Sequence, residues 1–312
     1  MITSVVGSFP INIEKPKSFK DKLLNTFNVY DPYKLAIKQS VIYQLDAGID
    51  VISDGQVRGD MIGSFSQFIP GFKYEKNSSV IVSKILKPNK EITTNDIKYA
   101  KSVMNAYLKD SNENKGIKGI ITGPSTLVHS SRIESFYKNK EQAIIDLAKS
   151  LHYEIKAIDK LGVEYIQIDE PFLSTGMVDL SVASKAIDIL SEGIKTPIAI
   201  HVCGNLTEIF SDLLKFNVDI LDCEFAGNKY NLKLLEENSK KLKGKKIGLG
   251  CLDTTLNKVD DYTKVKNLVS KAINEVGSEN LILDPDCGLR KLDIDIAFKK
   301  LELINKVKNE FN

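Results

Sequence analysis

An α/β fold, a single (β/α)8 TIM barrel with a hairpin-containing insertion after its second strand, is what the sequence predicts. Short β-branched runs alternate along the chain with longer segments whose apolar residues recur at three- and four-residue spacing. The short runs are continuously apolar rather than alternating, as parallel strands covered on both faces must be. Eight runs and eight helical segments can be counted, and 312 residues suit one such barrel or two compact domains. A doubly wound open sheet is the competing arrangement.

The elements follow in order. The first strand, 2–6, ends in Gly7-Ser8, and helix 32–47 follows it. Strand 51–53 ends in Asp54-Gly55-Gln56, and the rhythm then breaks. Residues 56–94 have no long helical period; FKYE and VIVSKI, separated by Lys76-Asn77-Ser78-Ser79, read as a hairpin on the face that carries active-site loops, a lid or rim. Helix 95–108 leads to strand 119–122 and Thr122-Gly123-Pro124, helix 140–160 to strand 165–169 and Asp169-Glu170-Pro171. Helix 178–192 precedes strand 198–202, helix 205–216 precedes strand 220–223, and helix 231–242 precedes strand 246–250. Helix 261–275 leads into strand 281–284, which ends in Asp284-Pro285-Asp286-Cys287 before the last helix, 292–309. No internal repeat beyond this unit and no Pro/Gly/Ser linker appears, so residues 1–312 read as one catalytic domain.

Composition narrows the function. With 43 Lys+Arg against 41 Asp+Glu and no basic block, there is no electrostatic footprint for nucleic acid or an anionic membrane, and small-molecule chemistry is the default. Four Cys in a chain this long are no disulfide framework, and the start, MITSVVGSFP, lacks a basic n-region and a long apolar run. A cytoplasmic protein is expected.

In a barrel the strand ends encircle one mouth, so residues distant in sequence meet there. Gly, Pro and Asp after a strand are ordinary turn and cap chemistry, but His and Cys have no capping advantage. His201-x-Cys203 puts both side chains on one strand face. Glu224 ends the next strand and Cys287 follows the last, giving an N/S/O/S set that Zn²⁺ accepts. The same Cys and His could instead be inert core residues. Cys223 alternates with Glu224 and is expected in the barrel wall, whereas Cys251 rivals Cys287, which is favoured by its Gly-flanked loop. His129 and Arg132, in LVHSSR, lie near the mouth and are read as surface residues; His152 lies mid-helix and is read as structural.

VGSFP, IDVISDGQ, TGPST, IQIDEP, HVCGN, DCEFAGN, IGLG and DPDCGLR, in this order, resemble the catalytic barrel of the cobalamin-independent methionine synthase family over nearly the whole chain. HVC with the later Glu and DPDCGL is the specific part; TGP and DEP alone are weak. The resemblance implies zinc on His201, Cys203, Glu224 and Cys287, and methyl transfer to the thiol of homocysteine bound to that zinc. It implies that Val6, Gly7 and Ser8 hold the substrate carboxylate and Asp169 its ammonium, aided by Gln56, where the family usually has Glu.

The sequence also departs from the family. Full-length members carry a second, N-terminal barrel, and the resemblance here covers the catalytic barrel alone. The family's pterin-stacking Trp aligns with Ser130, and the chain has no Trp. The family's His after the seventh strand, which helps protonate the departing folate nitrogen, falls at Thr255. A methyl-corrinoid donor, methylcobalamin or a methylated corrinoid protein, needs neither group, and it is the expected co-substrate. The alternatives are methyltetrahydrofolate as donor, another thiol acceptor such as coenzyme M, or a non-enzymatic role in which a corrinoid carrier docks on a structural zinc site.

Overall fold

The computed structural model describes residues 1–13, 15, 16, 18, 23, 26, 27 and 30–311. Its strands are β1 (Ile2–Thr3), β2 (Val51–Ile52), β3 (Phe72–Glu75), β4 (Ser78–Ile81), β5 (Gly116–Ile117), β6 (Gly119–Thr122), β7 (Ser131–Ile133), β8 (Ile166–Asp169), β9 (Ile198–Val202), β10 (Ile220–Glu224), β11 (Lys246–Leu252) and β12 (Leu281–Pro285). Seven of them form a curled parallel sheet in the order β1-β12-β11-β10-β9-β8-β6. Because every connection in this sheet returns to the same end, all strand C-termini share one face, which becomes the mouth.

The two sheet edges are drawn toward each other by β2 and β5, which pair in parallel. On one side Ser4 bridges Val51, extending β1 to β2. On the other, Lys118 is the single residue between β5 and β6: its N–H donates to Ile52 O at 2.9 Å, and Glu164 N–H donates to Ile117 O at 2.9 Å. The run 116–122 thus spans β2 and β8. Asp50 staples this seam, accepting from Thr3 N–H at 2.8 Å, Thr3 Oγ1 at 3.0 Å, Lys308 Nζ at 2.7 Å and Lys115 Nζ at 3.2 Å.

Helices cover the outside of the sheet. Tyr33–Asp46, Thr94–Tyr107, Lys140–Asp159, Leu180–Ser191, Lys229–Asn238, Tyr262–Val276 and Ile294–Lys308 bury apolar faces such as Ala143, Leu147, Leu151, Ile155 and Ile158 against it. Asn139, Asp179 and Asp261 cap three of them with side-chain oxygens. A second, smaller cluster of Val51, Tyr165, Ala199, Ile220 and Ile282, with Ile2 against it, fills the bore at the N-terminal ends of the strands. Among the described residues no helix is long and apolar enough to cross a membrane.

Several boundaries differ from the expectation. Strand 2–6 stops at Thr3 apart from the Ser4 bridge, where the chain still donates to Leu283 O at 2.8 Å while pairing with Val51. Helix 205–216 shrinks to Phe210–Leu213, since Asn205 Oδ1 captures the N–H and hydroxyl of Thr207 in a local turn. In the hairpin, β4 begins at Ser78, so the turn is Lys76-Asn77 alone; φ values of +49° and +59° give it the twist that two-residue hairpins favour. β4 also pairs in parallel with β7, which the sequence pattern did not mark as a strand.

Candidate metal centre

His201 is the penultimate residue of β9, with its side chain in the bore, and Cys203, just past the strand, follows on the same side. Cys287 reaches them from the loop after β12, and the ligand atoms of His201, Cys203 and Cys287 lie within 4.8 Å of one another. His201 is 2% exposed, and neither ring nitrogen has a hydrogen-bond partner. Its Nδ1 stands 3.1 Å from Asp222 Oδ2, an electrostatic contact whose angles do not make a hydrogen bond. A buried imidazole with an unmet nitrogen facing two sulfurs is the donor chemistry of a zinc site, so these residues fit that metal.

The charges follow from the packing. Cys287 is pulled down by its contact with Cys203, against burial. Cys203 is pushed up by the same contact and by burial, so Cys287 is the more readily ionised of the two sulfurs. Burial disfavours charge on His201, but Asp222 outweighs it and raises the imidazole well above its ordinary value.

Glu224 is placed beside this cluster and not within it. Its Oε2 accepts from the N–H of Gly204, the residue after Cys203, at 2.8 Å, which turns the carboxylate toward the loop. Asp286 positions that neighbourhood: its oxygens accept from Phe225 N–H and Ala226 N–H at 3.0 Å and from Gly227 N–H at 2.6 Å. Cys223 and Cys251, both 1% exposed, belong to the core outside the bore. Cys251 is therefore no rival to Cys287.

A cavity of about 1000 Å³ opens over the three donors, and Val6, Ser8, Gln56, Asp169 and Glu224 line it with them. Gly7 lies beneath Gln56: a Cβ there would stand 2.5 Å from Gln56 Oε1 and 2.9 Å from Ile120 Cδ1. Ser8 is pressed against Gly288, beside Cys287. Asp169 is pushed up to about 6 by burial, which His201, a hydrogen bond from Gln167 and the charge of Lys118 oppose. Thr255 also lines the cavity, and Ser130 caps the C-terminus of helix Pro124–His129. His129 joins that helix to Met177 O, Arg132 pairs with Glu134 on the surface, and His152 contacts Leu190 O.

Two groups escaped the sequence reading. Arg290 donates to the carbonyls of Gln56 and Gly59, tying the loop after β12 to the one after β2. It stood inside the quoted DPDCGLR run without a role. Lys118 and Gln167 are buried in the bore; their signal was a charged and an amide side chain inside apolar strand runs, IKGIIT and IQID.

Comparison with known proteins gives one answer. Residues 1–310 match the family model described as cobalamin-independent synthase, catalytic domain. A methionine synthase of Methanothermobacter thermautotrophicus is 46% identical over 303 residues, covering 96% of this chain and 97% of that protein. One of Methanocaldococcus jannaschii is 46% identical over 315 residues, covering 97% and 96%. In fold, the chain superposes on a B12-independent methionine synthase from Shewanella with a TM-score of 0.83 at 24% identity, over 99% of this chain and 96% of that one. The family description does not support the corrinoid donor expected from the sequence; it agrees better with the methyltetrahydrofolate alternative.

Proposed function

The chain belongs to the cobalamin-independent methionine synthase family and is a methyltransferase, and from that premise we propose that it uses zinc on His201, Cys203 and Cys287, with Glu224 as a fourth ligand, to methylate homocysteine to methionine. The observation that carries the zinc assignment is the buried His/Cys/Cys cluster at the floor of the mouth cavity. We read the curled sheet and the β2–β5 pair as one closed (β/α)8 barrel, residues 1–312 as one domain, and the 56–94 segment as its rim. A cytoplasmic location is part of this reading.

Zinc held there supplies a Lewis acid that lowers the pKa of a substrate thiol and leaves a sulfur nucleophile at neutral pH. The protein's residues do the rest. Asp222 orients His201 through the 3.1 Å contact. Asp169 receives the substrate ammonium, and the 6–8 segment, with the Ser8 hydroxyl, receives the carboxylate. Gln56 offers its amide oxygen to the same amino-acid end. This fixes the sulfur over the metal donors while the other end of the cavity admits the methyl donor.

Family membership favours methyltetrahydrofolate as that donor. One observation favours the corrinoid reading: at the mouth Thr255 offers no group that titrates near neutrality, and the chain has no Trp to stack on a pterin. The deciding experiment incubates zinc-replete protein with homocysteine and either methyltetrahydrofolate or methylcobalamin and measures methionine. Turnover with folate alone supports the family reading. Turnover with methylcobalamin alone supports a corrinoid donor, and silence with both rejects homocysteine methylation from these free donors.

A further inference from the structure

Below the metal donors the bore holds a lysine. Lys118, at the junction of β5 and β6, is 1% exposed, and its Nζ lies 5.2 Å from the centre of the Tyr165 ring. That Nζ donates to Gln167 Oε1 at 2.5 Å. Gln167 is fully buried, and its Nε2 donates in two directions, to Asp169 Oδ1 at 2.7 Å and to Val6 O at 2.8 Å.

A carboxamide can stand either way round, and its neighbours decide which. An ammonium only donates, so Lys118 accepts only the orientation that turns Oε1 toward it. The NH₂ group is then forced toward Asp169 and Val6, where both of its hydrogens are used. Reversed, the amide would set an oxygen against a carboxylate and a carbonyl, three acceptors with no donor among them. Among the described residues Asp169 Oδ2 accepts no hydrogen bond and is left for a ligand on the cavity side.

We propose that Lys118 is a positioning residue for the acceptor amino acid, acting through the orientation of Gln167 on Asp169, with Val6 O taking the second amide hydrogen. The inference rests on the homocysteine reading above and adds to it the device that holds the ammonium contact in place. It differs from a purely structural role, in which Lys118 would only offset the buried charges of Asp222 and Asp284.

The test is Lys118→Met, with Gln167→Met as a second variant that leaves the ammonium in place. Steady-state methylation of homocysteine is measured beside the inhibition constant of 4-mercaptobutyrate, which has the same thiol and carboxylate but no ammonium. Expected for either variant is a rise of about tenfold in homocysteine KM, a kcat within about threefold of the parent, and a 4-mercaptobutyrate constant changed by less than about twofold. The double variant is expected to be no worse than the worse single one, because both act in one chain of bonds. An unchanged homocysteine KM, or a KM and an inhibition constant that rise together, overturns the proposal; if Lys118→Met does not fold, Gln167→Met decides by the same criteria. A parent protein that does not methylate homocysteine rejects the functional reading and this inference with it, whereas an active parent with unaffected variants rejects the inference alone.

Discussion

Replacing Asp50 by Asn should weaken the seam of the barrel, and its pH dependence should identify the cause. The carboxylate takes four donors from three separate parts of the chain: Thr3 at the start, Lys115 before β5 and Lys308 in the final helix. The side chains of Asp50, Lys115 and Lys308 are 17%, 10% and 15% exposed, so neither ammonium can fully recover its hydration when the charge between them is removed. Breaking one partner of a fully buried pair costs roughly 3–5 kcal/mol; with this residual solvent access about 2–4 kcal/mol is expected. Burial alone would raise the Asp50 pKa, but Lys308, Thr3 N–H and Lys115 outweigh it and hold the carboxyl below its ordinary 3.8. A depressed folded pKa means that the stabilisation is complete above the unfolded value and is lost as pH falls through the folded one. Urea denaturation of parent and variant should therefore show a constant gap from about pH 7 to about pH 5, closing only below about pH 4. A gap under about 1 kcal/mol at neutral pH, or one that closes between pH 7 and 5, would refute the reasoning.

Three further outcomes concern the site. Asp222→Asn should leave the fold intact and weaken zinc about 10–100-fold in competition with a chromogenic chelator, because His201 loses the carboxylate that orients it; unchanged affinity would sink the idea. Cys287→Ala should lose most bound zinc by elemental analysis and Glu224→Gln a smaller part, since the carboxylate is the fourth ligand of this reading but stands outside the three-donor cluster, engaged by Gly204 N–H; full retention of zinc in Glu224→Gln would remove Glu224 from the ligand set. Homocysteine KM should rise as pH falls through about 6, where Asp169, raised by burial, takes up a proton and loses the charge that holds the ammonium; a KM flat from pH 7.5 to 5.5 would exclude Asp169 from that contact.

Much of this was legible because strand periodicity and strand-end chemistry are local. His201 and Cys203 share a face by the two-residue repeat alone, and β9 spans the residues the sequence marks, 198–202. Cys287 could be brought to them from a distance because barrel topology gathers all strand ends on one side. What was not legible depends on tertiary partners. β7 is three residues long and exists only against β4. The reach of Glu224 is set by a backbone N–H in a different loop, which no spacing rule encodes. Lys118 was passed over because it lies one residue before the strand the sequence marks, 119–122, and only the tertiary fold buries it.

The bore explains why such a lysine is kept. Its lower part is sealed by Val51, Tyr165, Ala199, Ile220 and Ile282, and its upper part opens into the cavity over His201, Cys203 and Cys287. Between them lie Lys118, Gln167, Asp222 and Asp284, all at most 2% exposed. A buried layer of charges contributes little net stability over apolar packing of the same volume. What it contributes is direction. Asp222 stands against the Nδ1 side of His201, and Lys118 turns Gln167 toward Asp169 and Val6. One buried polar layer thus reaches His201 on one side and Asp169 on the other. Under the proposed reading, the sulfur and the ammonium of the substrate are then placed by the same rigid floor.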